Sequence, residues 1–273
     1  MKDALSRSTI MAGLTTRYIG RAIEHYAEID STNTRAVELA RAGAPEGTLV
    51  LAEVQTAGRG RLGRPWHAPA GSSLLMSLIL RPALAPGQAQ RVTMVCSLAA
   101  VEAIETTTRL RAAIKWPNDL LIHDKKVGGV LTELGAGSGR LDYVVVGMGI
   151  NVNLDVSTLP ELMAPATSLS AELGQSTSRL SLLLALLERI EYHYEWLRRG
   201  RSPHEAWRQR LATLGRRVQV TTPGEVWEGV AEDVDADGAL LLRTDAGELR
   251  RILAGDLTLR GHLPDQHRHP RLP

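Results

Sequence analysis

The sequence predicts an α+β fold, in which a mixed central β-sheet with flanking helices precedes a small C-terminal β-barrel. Residues 88–109 and 179–199 carry apolar side chains at helical spacing, and short apolar runs between them are bracketed by glycine and proline. After residue 217 the pattern changes to five short runs separated by turn residues, which is typical of a small barrel. A chain of 273 residues has room for one large and one small domain. We place an N-terminal extension at 1–26, the large domain at 27–214, the barrel at 215–262 and a disordered tail at 263–273.

Composition excludes several classes of protein. Hydrophobic residues make up 44% of the chain and charged residues 23%, as in an ordinary soluble globular protein. The formal net charge of +2 gives no global field that would draw the molecule onto DNA or a membrane. The N-terminus lacks a signal-peptide core, and no run approaches the ~20 apolar residues of a membrane helix. Cys96, the lone cysteine, lies in an apolar stretch and predicts a buried, reduced thiol, so we expect a cytoplasmic protein.

The first half of the chain alternates strands and helices. Residues before 27 show no strong pattern, and the first dozen are expected to be mobile. Polar residues at 30–34 can cap a helix over 36–42 that ends at Gly43. Strands are predicted over 48–53, 73–80, 113–116, 120–122, 127–134 and 141–146, with hairpin turns at 123–125 and 135–139 and a packing helix over 88–109.

The second half adds two helices and the barrel. An amphipathic helix is predicted over 179–199, and the run Ser202-Pro203-His204-Glu205 reads as a capping box that opens a helix to residue 214. The barrel strands are predicted over 218–221, 226–233, 240–243, 249–253 and 257–260, with turns at Pro223-Gly224, Asp237-Gly238 and Ala246-Gly247.

The loop from Gln55 to Trp66 is the most unusual stretch, because its central seven residues hold three glycines and three arginines. Such a segment cannot build a core. Glycine lets backbone amides converge on an anion, and guanidinium groups clamp carboxylate or phosphate oxygens in pairs. The loop therefore predicts a polyanionic ligand, but a solvated basic loop or an RNA-binding segment is equally compatible with these residues alone.

A second motif, Lys115-Trp116-Pro117-Asn118-Asp119-Leu120, presents a cation, an amide and a carboxylate on a proline-stiffened turn. The chain has only four lysines against 28 arginines, yet Lys115, Lys125 and Lys126 lie within twelve residues. We interpret this as a need for compact, strongly hydrated charge that an arginine would not replace. For Lys125 we favour the simpler interpretation of a charged hairpin turn.

The run Gly147-Met148-Gly149-Ile150-Asn151 resembles a dinucleotide fingerprint only superficially, since the third glycine and the following helix are missing. Together with Ser31-Thr32-Asn33, the glycine and arginine loop and the Lys115 motif, it occurs in the order seen in bacterial biotin protein ligases, and the chain resembles that family over about residues 17–260. The resemblance implies a catalytic domain of the class II synthetase and biotin ligase type, followed by an SH3-like C-terminal domain. It also implies the short form without an N-terminal DNA-binding domain, since few residues precede Ser31.

The resemblance implies an activity and its site. Biotin would be activated with ATP to biotinyl-5′-AMP and transferred to a lysine of a carrier protein. Lys126, Arg61 and Lys115 would be the catalytic residues, and Asp119 would hold Mg²⁺ with ATP. The residues implied to bind biotin are Ser31, Thr32, Asn33, Gln55, Arg59, Gly60, Arg61, Lys126 and Gly129. Those implied to bind ATP are Arg61, Arg64, Trp66, Lys115, Asn118, Asp119 and Asn151, where Trp66 is either a lid or a core anchor.

The implied partner is the biotin carboxyl carrier domain of acetyl-CoA carboxylase. No DNA or membrane partner is expected, and the resemblance allows a homodimer formed through sheet edges. Two other functions stay open at this point. A lipoate-protein ligase would share the fold and the adenylate strategy, and an RNA-binding protein would use the basic loop and the barrel, with binding that weakens steeply as salt rises.

Overall fold

The computed structural model describes residues 5–158, 165–222 and 224–259, which form two sheets and six helices. The helices are α1 (Arg7–Gly13), α2 (Thr32–Arg41), α3 (Gln90–Thr108), α4 (Leu169–Leu173), α5 (Arg179–Arg198) and α6 (His204–Arg208). The strands of the first sheet are β1 (Ile23–Ile29), β2 (Leu49–Gln55), β3 (Ser73–Leu80), β4 (Ala113–Lys115), β5 (Asp119–Ile122), β6 (Lys125–Gly137) and β7 (Arg140–Asn151). Those of the second are β8 (Arg217–Thr222), β9 (Glu225–Val234), β10 (Leu240–Thr244), β11 (Leu249–Ile252) and β12 (Asp256–Leu259).

The first sheet is mixed, as predicted, with the strand order β1-β2-β3-β7-β6-β5-β4. Only β1 and β2 run parallel, and the other neighbours are antiparallel. The second sheet has the order β11-β10-β9-β8-β12 and is antiparallel throughout. Its edge strands β11 and β12 do not pair with each other among the described residues, so the barrel is not closed there, and the five-stranded antiparallel sheet is consistent with the predicted SH3-like domain. The α+β prediction is confirmed.

The two faces of the first sheet carry different layers. Helix α2 packs on one face, against β2, β3 and β7, and helices α3 and α5 pack on the other. Because side chains alternate along a strand, Val145 faces α2 while Val144 and Val146 lie in the large core beneath α3 and α5. Cys96 lies in that core, and its burial raises the thiol pKa to about 12, as expected for an unreactive thiol.

The core is continuous across both domains. Buried side chains of α3 and of the first sheet belong to the same apolar cluster as Val220, Leu240 and Leu257 of the second sheet. Polar contacts reinforce the boundary, since Trp116 Nε1 donates to the carbonyl of Gly238 at 2.9 Å. The predicted domain limits at 26, 214 and 262 stay predictions, and the tail at 263–273 lies outside the described residues.

The N-terminal region is more ordered than the sequence predicted. Ser6 caps α1 by accepting from the Thr9 amide at 3.2 Å, and Ile10 is fully buried. The expectation that the first dozen residues are mobile is therefore wrong for α1. Strand β1 was missed because it lies at the sheet edge, where most of its side chains are polar and partly exposed.

Several predicted element limits also need correction. Helix α2 begins at Thr32, four residues before the predicted start, and β6 continues to Gly137, so the hairpin turn is confined to Ser138 and Gly139. The 147–151 run belongs to β7 itself and does not follow it.

The predicted capping box and long helix after residue 202 are wrong. Helix α6 has only five residues, and Ser202 Oγ accepts from the His204 amide without capping a later one. The helix stops because the chain pairs beside β4, where the Ile114 amide donates to Arg210 O at 2.8 Å and the Ala212 amide donates to Ile114 O at 2.9 Å. No helix among the described residues is long and apolar enough to cross a bilayer.

Candidate active site

A cavity of about 510 Å³ lies on the α2 side of the first sheet, where the β2–β3 loop, the turn after β4 and strand β12 meet. The structure brings every residue that the resemblance assigned to catalysis or to biotin and ATP binding to its wall. These are Ser31, Thr32, Asn33, Gln55, Arg59, Gly60, Arg61, Arg64, Trp66, Lys115, Asn118, Asp119, Lys126, Gly129 and Asn151. Arg61 and Lys126 therefore line one cavity although 64 residues lie between them in the chain.

The start of α2 forms a buried polar corner of this cavity. Ser31, the N-cap residue, accepts from the Thr34 amide at 3.5 Å. The Thr32 amide and hydroxyl both donate to Gln55 Oε1, at 2.8 and 3.0 Å. Ser77 Oγ lies 2.6 Å from Asn33 Oδ1 and 2.8 Å from Thr32 Oγ1. Capping and ligand recognition can thus be served by the same residues, because the corner presents fixed donors and acceptors.

Two glycines of β7 make room for protein side chains in the cavity. A Cβ on Gly147 would lie 2.1 Å from Asn33 Oδ1, and a Cβ on Gly149 would lie 2.6 Å from the Trp66 ring. Asn33 and Trp66 therefore occupy the space that these two glycines leave open. The Trp66 indole is half-buried, and its Nε1 has no hydrogen-bond partner among the described residues. A buried donor without an acceptor is costly, and a ligand acceptor at this point would relieve that cost.

The three arginines of the β2–β3 loop are each tied to a different part of the molecule. Arg59 donates to Thr34 Oγ1 and to Glu133 at 3.1 Å, and Arg61 Nη1 donates to Asn118 Oδ1 at 3.2 Å. Arg64 forms an ion pair with Asp256 of β12. The loop consequently closes over the cavity through polar contacts with the first sheet, the Lys115 motif and the C-terminal sheet. Burial lowers the pKa of the Arg61 guanidinium, and Asp119 opposes that effect.

A carboxylate joins the two lysines of the cavity. Asp119 Oδ1 lies 2.6 Å from Lys126 Nζ, and Asp119 Oδ2 lies 3.9 Å from Lys115 Nζ. Lys126 Nζ also lies 5.7 Å from the centre of the Trp66 ring. Burial lowers the pKa of Lys115, because it penalises the ammonium form more than Asp119 stabilises it. The two lysines thus bring more positive charge to this part of the cavity than Asp119 alone neutralises.

Lys125, the neighbour of Lys126, turns away from this cluster. Its Nζ lies 3.2 Å from Glu172 of α4, and it is half-exposed. Glu172 also accepts from Thr167 Oγ1 at 2.6 Å and contacts His123 Nδ1 at 2.7 Å. These hydrogen bonds, that of Thr167 first, lower the Glu172 pKa to about 2. Lys125 is the first residue of β6 and directly follows the turn at His123 and Asp124, so the predicted turn at 123–125 is one residue too long, and the Lys125 charge lies beside that hairpin turn.

Sequence reasoning missed two acidic residues of the site. Glu133 contacts Asn33 and Arg59, and Asp256 pairs with Arg64. Glu133 could have been found, because residues 129, 131 and 133 alternate on the cavity face of one strand. The sequence around Asp256 gave no indication of a site residue, because Asp256 reaches the cavity from the C-terminal sheet.

The site offers one carboxylate of the Lys115 motif to a metal ion, and no group of three or more His, Cys, Asp or Glu side chains among the described residues could hold one. Asp119 is engaged by Lys126 and Lys115. Magnesium commonly binds to one or two carboxylates together with substrate phosphates. This donor set fits an ion that arrives with a phosphate ligand better than a resident metal.

The sequence of this chain is similar to that of known proteins over both of its sheets. Residues 26–151 match the profile of the biotin/lipoate A/B protein ligase family, and residues 213–260 match the biotin protein ligase C terminal domain. The chain is 38% identical over 258 residues to the bifunctional ligase/repressor BirA of Bacillus subtilis (strain 168), covering 93% of this chain and 79% of that protein. It is 35% identical over 229 residues to the biotin--[acetyl-CoA-carboxylase] ligase of Paracoccus denitrificans, covering 81% and 94%.

Solved structures agree with these matches. The biotin protein ligase from Aquifex aeolicus, in complex with biotin and ATP, superimposes with a TM-score of 0.73 at 31% identity. The superposition covers 88% of this chain and 99% of the Aquifex chain. Both domains of the present structure are therefore shared with that protein.

Proposed function

This chain belongs to the biotin/lipoate A/B protein ligase family, among its biotin protein ligases, and from that premise we propose how its cavity activates biotin with ATP and passes it to a carrier protein. The observation that carries the proposal is the meeting of Arg61, Lys115 and Lys126 around one cavity beside the polar corner of α2. Cations from three separate segments are what a reaction between two anions requires.

In the first step, a biotin carboxylate oxygen attacks the α-phosphorus of ATP, and the bond to pyrophosphate breaks. Both reactants are anionic, and negative charge accumulates around phosphorus in the transition state. Lys126 and Lys115 would neutralise this charge, and Arg61 would cover the resulting adenylate. Release of Lys126 from Asp119 would accompany substrate binding, because the same ammonium group cannot serve both partners fully.

Biotin would enter with its ureido ring toward Ser31, Thr32 and Asn33. A ureido group has two N–H donors and one carbonyl acceptor, and hydroxyl and amide side chains can complement both. Leu131 and the Trp66 ring supply apolar lining for the alkyl chain that ends in the carboxylate. The ring would then be held at one end of the cavity and the carboxylate beside Lys126.

ATP would occupy the part of the cavity bounded by Arg64, Asn118 and Asn151. The Trp66 indole can donate to a ligand oxygen, and Asp119 would bind Mg²⁺ that arrives with the triphosphate. Closure of the loop excludes water, which would otherwise hydrolyse the mixed anhydride.

In the second step, the neutral amine of a carrier-protein lysine attacks the acyl carbon, the bond to AMP breaks, and the nitrogen loses a proton. The proposed acceptor is the biotin carboxyl carrier domain of acetyl-CoA carboxylase. No side-chain nucleophile of the ligase is needed, because the adenylate is already an activated acyl group.

The two alternative functions fit the cavity less well. The dithiolane ring of lipoate has no N–H donors, so it would leave the buried polar corner without partners. RNA binding would need free basic side chains, whereas Arg59 and Arg64 pair with Glu133 and Asp256.

The test is incubation of the protein with biotin, MgATP and an acetyl-CoA carboxylase carrier domain, followed by mass measurement of the carrier. We expect one added biotinyl group, and pyrophosphate exchange that depends on biotin. Exchange that depends on lipoate and not on biotin would contradict the proposal.

A further inference from the structure

Glu133 lies at the junction of the polar corner and the loop. It belongs to β6, on the same face as Gly129 and Leu131, and its side chain is 32% exposed. Its Oε2 accepts from Asn33 Nδ2 at 2.8 Å. Its Oε1 and Oε2 lie 3.1 and 3.4 Å from Arg59 Nη2. One carboxylate therefore contacts both the start of α2 and the tip of the β2–β3 loop.

The contact with Asn33 fixes which end of the amide faces the corner. A primary amide can present either oxygen or nitrogen in nearly the same shape, and its partners decide the orientation. A carboxylate only accepts, so Glu133 requires the NH₂ end of Asn33. The Asn33 oxygen must then point to Ser77 Oγ, 2.6 Å away.

The orientation of the Asn33 amide affects the hydrogen bonds of the neighbouring side chains in the polar corner. The Ser77 hydroxyl has one proton, and both Asn33 Oδ1 and Thr32 Oγ1 lie within reach of it. Thr32 Oγ1 donates onward to Gln55 Oε1 at 3.0 Å. Glu133 is thus the acceptor at one end of a hydrogen-bonded series that determines where the corner offers acceptors to a ligand.

The contact with Arg59 ties the loop to the same carboxylate. Arg59 Nη1 donates to Thr34 Oγ1 at 3.1 Å while Nη2 faces Glu133. The guanidinium is 40% exposed, so the ion pair alone adds little to folding stability. Its effect is geometric, because it holds the loop tip over the first turn of α2.

We propose that Glu133 is a positioning residue that couples recognition of the ureido ring to closure of the glycine and arginine loop. The inference rests on the proposed function, since it names a residue that acts on biotin through Asn33 and Arg59. Glu133 itself touches neither reacting atom. Its loss should weaken biotin binding with little effect on ATP binding or on the rate at saturating biotin, because Arg61 and Arg64 of the same loop keep their own contacts with Asn118 and Asp256.

The experiment measures biotin-dependent pyrophosphate exchange for Glu133→Ala and Glu133→Gln, with thermal unfolding of each variant. For Glu133→Ala we expect the KM for biotin to rise about tenfold, the loss typical of a hydrogen bond to a charged group. The KM for ATP and kcat at saturating biotin should stay within about twofold. Glu133→Gln should rescue part of the KM, because its amide oxygen still accepts from Asn33 while its charge is lost.

Glu232→Gln is the matched control. Glu232 lies on β9 of the C-terminal sheet, pairs with Arg243 at 2.7 Å and does not line the cavity. All its kinetic parameters should equal those of the unmodified protein.

A KM for biotin that is unchanged in Glu133→Ala would overturn the inference. The inference would also be overturned if the KM for biotin and the KM for ATP rose, and kcat fell, by similar factors in proportion to the loss of thermal stability. That pattern would indicate a structural role. If Glu133→Ala does not fold, a KM for biotin in Glu133→Gln equal to that of the unmodified protein is the contradicting result. Absence of biotin-dependent exchange in the unmodified protein would instead remove the proposed function itself.

Discussion

The two faces of strand β7 differ sharply, although they share one backbone. Val144, Val146 and Ile150 are fully buried against the layer of α3 and α5. On the opposite face the alternate positions Gly147 and Gly149 have no side chains, and Asn33 and Trp66 occupy the space. One face contributes burial energy along its length, whereas the other packs against α2 at Val145 and opens into the cavity at Gly147 and Gly149. Stability and ligand binding should therefore be separable by substitutions within one short stretch of β7.

The two faces are also held by different forces. The face toward α3 and α5 is packed with apolar side chains, whose contacts no ligand can replace. On the cavity face, lysines and arginines pair with Asp119, Glu133 and Asp256, and anionic ligands compete for those same cations. The cavity face is therefore the one expected to rearrange when substrates bind.

Substitution of Lys126 should have the largest effect. Lys126→Ala removes the ammonium group expected to stabilise transition-state charge, so the activation free energy of adenylate formation should rise by at least ~3 kcal/mol. Pyrophosphate exchange with biotin and ATP measures this change. Lys125→Ala is the control on the adjacent residue, and its exchange rate should be close to normal because Lys125 faces Glu172. Near-normal exchange in Lys126→Ala would refute the assigned role.

A pair of substitutions in β7 tests the contrast between faces directly. Val146→Ala should lower the free energy of unfolding by about 2–3 kcal/mol, from lost burial and the cavity left behind, while the KM values stay unchanged. Gly149→Ala places a methyl group 2.6 Å from the Trp66 ring, so it should raise the KM values with a smaller loss of stability. Urea unfolding measures the free energy of unfolding of both variants, and pyrophosphate exchange measures their KM values. Equal losses of stability and activity in both would show that the faces are not independent.

Substitution of Arg61 tests the closed loop. Arg61→Gly removes the contact with Asn118 and a cation of the cavity, so the adenylate should escape about tenfold faster, or about 1.4 kcal/mol. Released adenylate would label unrelated lysines, which mass spectrometry of a protein mixture detects. Leu62→Gly is the control, because Leu62 is 70% exposed and its φ of 56° suits glycine. Labelling confined to the carrier in Arg61→Gly would exclude the covering role.

The smallest effect is expected at Glu172, outside the cavity. Its hydrogen bonds lower its pKa from the ordinary 4.5 to about 2, so its stabilisation is present above pH 4.5 and is lost as the pH falls toward 2. Glu172→Gln should lower the free energy of unfolding at neutral pH by about 1 kcal/mol, after allowance for solvent screening of its exposed partners. Urea unfolding at pH 7 and at lower pH should show the two proteins converging in acid. A constant difference between them would be inconsistent with this origin.

The sequence identified the residues that meet at the cavity more closely than it predicted the limits of the helices and strands around them. The site residues lie in short motifs whose glycines, arginines and lysines are unusual in themselves, so they could be identified before their meeting was known. Strand β1 was missed because an edge strand carries polar side chains, and α6 was predicted too long because its end is set by pairing with Ile114, far away in the chain. Glu133 and Asp256 belong to no motif. Their roles depend on which segments the fold brings beside Asn33 and Arg64.

The shared core of the two sheets bears on how the molecule unfolds. Val220, Leu240 and Leu257 belong to the same buried cluster as the side chains of α3, and Trp116 is anchored on Gly238. A C-terminal sheet that melted alone would strip apolar cover from the larger domain and open one wall of the cavity. The described residues should therefore behave as one cooperative unit, with a single heat-absorption peak that substrates shift as a whole.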